Sequence, residues 1–433
     1  MDPGEGIPVR LTRTFLLAGL LLATEGLQAQ EREDLATLLD TPIVSATRQR
    51  ERVQEAPAPV VVLTRRDLEL RGYTQLFEVL DDLPGFDLLM AYGPTFLKPY
   101  ARGFRNNIGD AVLFLVDGQP FNHLWFNVSY ATMAAMPLTH IEQVEVVYGP
   151  ASAVYGANAF MGVINVITRK APSTRFSGDG VLNRGTLGRG GADLTVWLPL
   201  GAWESRLTAR RFEGDMDPEA GDRYEYTSRR YWNRTIFGRL LDHYSGDGSS
   251  PYVAQALDLR TRRRGAEVGF QVLDLFSHHG RNYPADRHIP TSGTWHKREV
   301  ALFVRQSLDL ALELKGETLA RYRRSDIPND SLDFAVRWDP VQKAFLALPQ
   351  HWASTNSALS LQGDFTWQRP AARWSIQFGA ALSHENLDKG YQLSNPGNRM
   401  LPTATFDPGQ VQAPVASDLS DTNHLGIERR GAY

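Results

Sequence analysis

Residues 141–168 decide the fold of this chain, and their sequence is IEQVEVVYGPASAVYGANAFMGVINVIT. The valines of the first half predict a strand that ends at Gly149 and Pro150, because proline has no backbone N–H to continue a ladder. The run 163–167 is β-branched except for Asn165, which is typical of a buried strand. The stretch therefore predicts a strand, a tight turn, one short helical turn and a second strand.

The same stretch resembles the plug domain of TonB-dependent outer-membrane receptors, whose signature is I-E-x-[IV]-E-V-x-x-G-P-x-S-x-x-Y-G-x-x-A-x-x-G-V-[IV]-N-[IV]-I-T. One departure is Tyr148, where the family usually carries arginine. The resemblance covers residues 41–170 continuously, with L-x-x-x-P-G at 80–85, R-G-F at 102–104 and V-L-x-L-V-D-G-x-P-x-N at 112–122. It implies these plug-motif positions: Arg102, Gly103, Asp117, Gly118, Glu145, Gly149, Pro150, Tyr155 and Gly156.

A short β-prone segment precedes this domain and is followed by a charged, proline-interrupted linker up to residue 59. We expect an exposed, extended segment of this kind to add as a strand to the sheet edge of a partner through its main chain. It resembles the TonB box of the family, which implies the periplasmic domain of TonB as partner. If the seven residues 41–47 are considered by themselves, an ordinary linker is the alternative interpretation of this heptad. The TonB-binding residues are then Thr41, Pro42, Ile43, Val44, Ser45, Ala46 and Thr47.

Composition excludes several function classes. The 433 residues hold 46 Lys and Arg against 49 Asp and Glu, so no basic field favours nucleic acid. Cysteine is absent, which excludes disulfide scaffolds, thiol chemistry and cysteine-ligated metals. The 37 glycines and 44 aromatic residues (9 Trp, 15 Tyr and 20 Phe) favour a many-stranded β-structure.

The amino terminus has the three parts of a secretory signal. Arg10 and Arg13 precede an apolar run over 15–23, and the chain offers a small residue for cleavage at Ala29. The run falls short of the ~20 residues that a spanning helix needs. We therefore expect export, with the outer membrane and its lipid as the final environment.

Local signals place helices and strands in the α/β part. Thr64 followed by Asp67 predicts a capped helix after a short strand. Thr74 is predicted to cap a second, amphipathic helix. Residues 100–104 and 112–116 are predicted to be strands.

After Lys170 the pattern changes to segments of about ten residues in which apolar and polar side chains alternate, separated by turns. Alternation of this length predicts transmembrane β-strands with apolar side chains outward, although strands of a soluble β-sandwich also alternate. The plug resemblance decides for the barrel. The clearest segments are 194–200, 204–210, 266–272, 309–315 and 374–382.

The predicted fold is a small mixed α/β plug domain followed by antiparallel transmembrane β-barrel strands. Plugged transporters have 22 strands, and the roughly 260 residues after position 173 are too few for them, so we expect about half a barrel. The predicted regions are a signal peptide at 1–29, the TonB-box segment and linker at 30–58, the plug domain at 59–172 and the partial barrel at 173–433.

No catalytic or cofactor pattern stands out. The chain lacks G-x-G-x-x-G, G-K-[ST], a nucleophile elbow and H-E-x-x-H, so we expect neither an enzyme nor a bound cofactor. His278, His279, His288 and His296 fall in a polar stretch predicted to be a loop, where solvated side chains are favoured over metal ligands.

Two predicted plug loops, at 90–97 and 121–130, are rich in aromatic residues. In the family, such apices face outside and touch the ligand, and aromatic side chains with a few polar groups suit a bulky amphipathic chelate. Packing against the barrel wall is the equal alternative. The candidate ligand-contacting residues are Tyr92, Phe96, Phe121, His123, Trp125 and Phe126.

The resemblance implies TonB-dependent active transport of a scarce, large solute across the outer membrane. We expect a ferric siderophore as cargo, with cobalamin, haem or another metal chelate as alternatives. The hypothesis from another class is a non-transporting β-barrel or surface-binding protein, or a truncated remnant of a receptor.

Overall fold

The structure, a computed structural model, contains a mixed α/β N-terminal domain followed by a large antiparallel sheet. No helix among the described residues is long and apolar enough to cross a membrane. The described residues are 39–45, 51–90, 97–104, 110–124, 126–155, 158–170, 175–186, 188–215, 235–236, 239–240, 251–278, 293–342, 344–369, 374–388, 391–393, 401–402 and 424–432.

The N-terminal domain is built on a sheet with the strand order β3-β8-β9-β6-β7, in which β6 and β9 are parallel and the other neighbours antiparallel. Two further pairs, β1-β2 and β4-β5, lie outside it. The elements are β1 (Pro42–Ile43), β2 (Glu51–Arg52), a 3-10 turn (Val53–Glu55), β3 (Val60–Thr64), α1 (Arg65–Arg71), α2 (Leu76–Asp81), β4 (Phe86–Met90), β5 (Leu97–Ala101), β6 (Val112–Val116), β7 (Gln119–Pro120), α3 (Tyr130–Ala135), β8 (Ile141–Tyr148), α4 (Ser152–Tyr155) and β9 (Gly162–Thr168).

The predicted order for residues 141–168 is confirmed as β8, α4 and β9. The close approach of β8 and β9 explains why β9 begins with a glycine, Gly162. A Cβ atom on Gly162 would lie 2.5 Å from the carbonyl oxygen of Val147, which is too close for any other side chain. The pairing of β8 with β9 therefore requires glycine at this point.

The predicted cap of the first helix is confirmed. The Asp67 carboxylate accepts from the backbone N–H of Thr64 at 2.8 Å, and the Thr64 hydroxyl accepts from the Asp67 N–H at 3.3 Å.

The prediction that Thr74 caps the second helix is wrong by one residue. The cap is Gln75, because the Glu78 carboxylate accepts the backbone N–H groups of both residues, at 2.7 Å for Thr74 and 3.1 Å for Gln75.

The strand predicted over 100–104 ends early. β5 stops at Ala101 because Arg102 and Gly103 adopt left-handed backbone angles, with φ of +52° and +71°. A chain in that region turns and leaves the ladder. Phe104 then returns to form an isolated bridge with Ala101.

The large sheet, called the wall below, runs in the order β10-β11-β12-β15-β16-β17-β18-β19-β20-β23. All its neighbours are antiparallel, and in the described residues β10 and β23 do not pair with each other. The strands after β9 are β10 (Ser177–Arg184), β11 (Gly190–Leu200), β12 (Trp203–Gly214), β13 (Thr235–Ile236), β14 (Arg239–Leu240), β15 (Tyr252–Arg263), β16 (Ala266–His278), β17 (Thr294–Ala311), β18 (Leu314–Asp339), β19 (Ala344–Trp367), β20 (Ile376–Asp388), β21 (Tyr391–Leu393), β22 (Leu401–Pro402) and β23 (His424–Ala432).

The predicted alternation of side chains is confirmed. On β11, Asp193 and Thr195 are buried toward the N-terminal domain, whereas Leu194 between them is 51% exposed on the other face. On β12, Arg206 and Arg210 are likewise buried. The wall is thus polar on its inner face and apolar on its outer face, as in transmembrane barrels.

Two details of the strand prediction are wrong. The segment predicted as one alternating strand over 309–315 contains a turn, since β17 ends at Ala311 and β18 begins at Leu314. β18 and β19 contain 26 and 24 residues, far longer than the expected ten.

We predict that arginine at Leu302 destabilises the wall. Leu302 is 47% exposed on the outer face of β17, between its cross-strand neighbours Phe270 and Tyr322. Leu302→Arg should lower the free energy of unfolding by about 2–4 kcal/mol, the cost of a lipid-facing arginine near the bilayer centre. Leu312→Arg is the control, because Leu312 is 87% exposed in the turn after β17. Urea unfolding in lipid vesicles measures both, and equal costs would contradict the assigned outer face.

Candidate functional site

Two buried polar side chains lie on one largely apolar face of the N-terminal sheet. Glu145 of β8 and Asn165 of β9 are cross-strand neighbours, and neither has any exposed surface. Leaving such groups without hydrogen bonds would cost roughly 1–3 kcal/mol each. Gln143 donates to the Glu145 carboxylate at 2.6 Å, but four other neighbours on this face are apolar and cannot bond the pair: Leu113, Leu115, Val147 and Val163.

Residues 41–45, called the docking segment below, supply the partners. The Glu145 carboxylate accepts from the backbone N–H of Ser45 at 2.8 Å and from that of Val44 at 3.1 Å. The Asn165 side-chain amide donates to the Ser45 hydroxyl oxygen at 2.8 Å. The segment thus satisfies the buried pair with its own backbone and one hydroxyl.

An apolar contact completes the docking. Ile43 is 1% exposed and packs in one cluster with Val62 of β3, while β1 pairs with β2 so that the segment folds back on itself. The sequence predicted an exposed extended segment, and the structure shows a docked one instead. Ala46 and Thr47, also predicted to bind TonB, lie outside the described residues.

The other end of the Asn165 carboxamide holds a tight turn. Asp117 and Gly118 join β6 to β7 with φ of +48° and +77°, a geometry typical of two-residue hairpin loops. The Gly118 N–H donates to the Asn165 side-chain oxygen at 3.1 Å. The Asp117 carboxylate accepts from the Thr168 N–H at 2.8 Å. Asn165 therefore bonds the docking segment with its nitrogen and this turn with its oxygen.

Wall arginines hold the same turn from the other side. Arg260 of β15 forms an ion pair with the Asp117 carboxylate, and Arg305 of β17 donates to the Asp117 carbonyl oxygen at 3.0 Å. Burial by itself raises the pKa of Asp117, but the charges of Arg260 and Arg305 outweigh it and lower that pKa to about 2. Asp117 is therefore ionised at any physiological pH.

Other wall arginines also donate hydrogen bonds to backbone carbonyl groups of the N-terminal domain. Each guanidinium carries several N–H donors in a rigid fork, so one arginine can bond a neighbour within the wall and a carbonyl of the N-terminal domain. The further pairs are Arg206 with Arg169 at 2.7 Å, Arg210 with Thr74 at 2.8 Å, Arg321 with Pro120 at 2.7 Å and Arg323 with Asn122 at 2.6 Å.

A cavity of about 360 Å³ adjoins the docking segment. Val44 and Asn165 line one side, and Lys315 and Asp364 of the wall line the other. The segment is thus next to an open, polar volume rather than enclosed on all sides.

The remaining plug-motif residues shape turns around this centre. The Arg102 guanidinium carbon lies 5.9 Å from the centre of the Tyr148 ring, a cation–π contact. Gly149 has a φ of +103°, which glycine adopts without strain. Tyr155 packs, half-buried, against the apolar cluster of this sheet face. Gly156 lies outside the described residues.

Two of the three described candidates for ligand contact are buried, and the third, Phe126, is half-buried. Phe121 is 2% exposed, and the Arg321 guanidinium carbon lies 4.6 Å from its ring centre. His123 is 3% exposed, and burial, together with positive charges of the wall, holds its pKa well below the usual value. The ring of Phe126 lies 5.4 Å from that of His123. The other candidates lie outside the described residues: Tyr92, Phe96 and Trp125.

The histidines predicted to lie in a solvated loop are placed differently where they are described. His278 ends β16, and His296 lies near the start of β17 with a ring nitrogen 3.0 Å from the Asp274 carboxylate. His279 and His288 lie outside the described residues. Within the part of the chain that is described, no group of three or more His, Cys, Asp or Glu residues could hold a metal ion.

Sequence reasoning missed the residues that join the site together. Asn165 stood out only as the exception in a β-branched run, and that exception was the usable signal. For Arg260 and Arg305 the sequence signal is weaker, since each is a charged residue at an inward-facing position of an alternating strand.

Comparison with known proteins finds a matching family model and a relative in sequence. The family model of the TonB-dependent receptor plug domain matches residues 52–163. The vitamin B12 transporter BtuB of Vibrio vulnificus (strain CMCP6) is 30% identical over 239 residues, which are 54% of this chain and 38% of that protein. The chain therefore spans well under half the length of this relative.

Solved structures share the fold at lower identity. The pyoverdine outer membrane receptor FpvA of Pseudomonas aeruginosa PAO1 is similar with a TM-score of 0.63 and 19% identity, over 90% of this chain and 55% of that one. BauA, the ferric preacinetobactin receptor of Acinetobacter baumannii, gives a TM-score of 0.57 and 15% identity, over 87% and 54%.

We predict that the Asp117 ion pair makes the stability of the N-terminal domain depend on pH in the acidic range. Because its pKa falls from 3.8 to about 2 on folding, the stabilisation is complete above pH ~4 and lost as the pH drops through ~2. Asp117→Asn should cost about 2 kcal/mol at neutral pH and nothing near pH 2. Urea unfolding of the detergent-solubilised protein measures this. The exposed Asp87→Asn is the control, and a cost independent of pH would refute the assignment.

Proposed function

We propose that the protein is an active transporter, on the premise that residues 52–163 match the family model of the TonB-dependent receptor plug domain and that the wall strands share the fold of solved outer-membrane receptors. A scarce, bulky solute binds at the outer face. The periplasmic protein TonB pairs with residues 41–47 and pulls, and the plug domain rearranges to open a path. The observation that carries this proposal is the docking segment, a strand-forming stretch held by few bonds beside an open cavity.

The docking bonds and a strand contact with TonB exclude each other. Strand addition uses backbone N–H and C=O groups, yet the N–H groups of Val44 and Ser45 already donate to Glu145. β1 is also already paired with β2. TonB therefore binds only after the segment has left the plug domain, and any event that weakens docking favours its capture.

The wall supplies the fixed frame against which a pull acts. Arginine bonds from β17 and β18 hold the plug backbone over residues 117–122. Hydrogen bonds to charged groups contribute roughly 1.5–3 kcal/mol each. A pull on the docking segment acts first on the segment's own bonds to Glu145 and Asn165, while the wall bonds hold the rest of the plug domain in place.

For the cargo we propose a ferric siderophore, with cobalamin as the alternative. FpvA is named for pyoverdine and BauA for ferric preacinetobactin, whereas BtuB is named for vitamin B12. Both classes are bulky metal chelates.

Uptake assays in cells that depend on this protein separate the two cargoes. We expect radiolabelled iron to accumulate from at least one class in a panel of catecholate, hydroxamate and mixed siderophores, and only when TonB is present. Labelled cobalamin should remain at the background level. Accumulation of cobalamin but of none of the iron complexes would assign the alternative cargo.

Proline at Ile43 tests energy coupling. Ile43→Pro removes a backbone donor and prevents strand addition, so uptake should fall at least tenfold while cargo binding at the cell surface persists. Ile43→Val is the matched control, because it keeps the backbone N–H and most of the apolar contact with Val62. Uptake that survives the proline unchanged would show that TonB does not bind here.

A further inference from the structure

The Asn165 carboxamide is the point at which the docking segment and the wall-held turn meet. Its nitrogen donates to the Ser45 hydroxyl, 120 residues away in sequence, and its oxygen accepts the Gly118 N–H. The Asn165 side chain itself is fully buried. One planar group thus bonds the docking segment and the turn at the same time.

The turn at the oxygen end is fixed to the wall rather than to the plug domain alone. Arg260 pairs with the Asp117 carboxylate, and Arg305 bonds the Asp117 carbonyl. The neighbouring Glu145 holds the docking segment as well, but its further bond goes to Gln143 on its own strand. A hydrogen-bonded route from the wall to the docking segment therefore runs through Asn165.

We propose that Asn165 is a positioning residue that couples the docking segment to the barrel wall. A shift of the wall arginines displaces the turn at Gly118. Because the Gly118 N–H is bonded to the Asn165 side-chain oxygen, the carboxamide follows the turn and its nitrogen rotates away from the Ser45 hydroxyl. A small rearrangement of the wall then releases the segment. This inference rests on the proposed function for its physiological meaning, since release matters only if TonB captures the segment.

A spin label reports release without TonB or cargo. The chain has no cysteine, so Leu39→Cys, at a 39% exposed position just before the segment, carries a single nitroxide. Loss of one hydrogen bond of ordinary strength changes an equilibrium roughly twofold to tenfold. We expect Asn165→Ala, Ser45→Ala and Arg305→Gln each to raise the ratio of mobile to immobile label by that factor.

The decisive measurement is the double-mutant cycle. Arg305→Gln should mobilise the label in the parent protein but have no further effect in the Asn165→Ala or the Ser45→Ala background. Arg210→Gln is the matched control, because this wall arginine bonds the carbonyl of Thr74 instead. Additive effects of Arg305→Gln in both backgrounds would overturn the coupling.

The Ser45→Ala arm keeps the test valid if Asn165→Ala fails to fold, since it removes only the hydroxyl at the segment end. Failure of the proposed function gives a different result. If Ile43→Pro leaves uptake intact while the cycle is non-additive, the coupling stands and TonB binding at this segment does not.

Discussion

The structure depends on the need of buried arginines for hydrogen-bond acceptors. The inner face of the wall carries guanidiniums that are almost fully buried, and a buried charge without partners is strongly destabilising. Some find carboxylates within the wall, as Arg210 does with Asp193 at 2.7 Å. One further donor of each of five wall arginines reaches a backbone carbonyl of the plug domain. Because these acceptors are backbone groups, they depend on the path of the plug chain rather than on its side chains.

The two faces of the plug sheet make different kinds of contact. One face joins the helices and the inner surface of the wall in a single apolar cluster that includes Leu80, Phe114 and Ala254. The opposite face interrupts its apolar residues with Glu145 and Asn165 and covers them with the docking segment. The first contact is extensive and apolar, and the second is small and polar. The two therefore differ in how readily they separate.

Local sequence signals predicted what depends on near neighbours in the chain. The cap at Thr64, the strands β8 and β9 and the inward–outward alternation of the wall all follow from residues a few positions apart. The turn after β17 escaped prediction because Leu312 preserves the alternation through it. The left-handed Arg102 escaped because arginine gives no signal for a positive φ.

Predicting the site required contacts that no local pattern contains. The bond between Ser45 and Glu145 joins residues 100 positions apart, and that between Asp117 and Arg260 spans 143. The heptad and the plug motif were both recognisable, but nothing in either indicated that one lies on the other. Docking was therefore a finding of the structure, whereas the identities of the two partners were available from the sequence.

The pairing of β1 with β2 also sets a length scale. While it is intact, the chain before β3 doubles back and Ile43 stays against Val62. Once it opens, the stretch from Thr41 to Val60 becomes a tether that spans at most roughly 60–70 Å when fully extended. On the proposed function, TonB can then reach the segment at up to that distance from the plug domain. Opening of the β1–β2 pair thus changes the distance over which the segment is accessible.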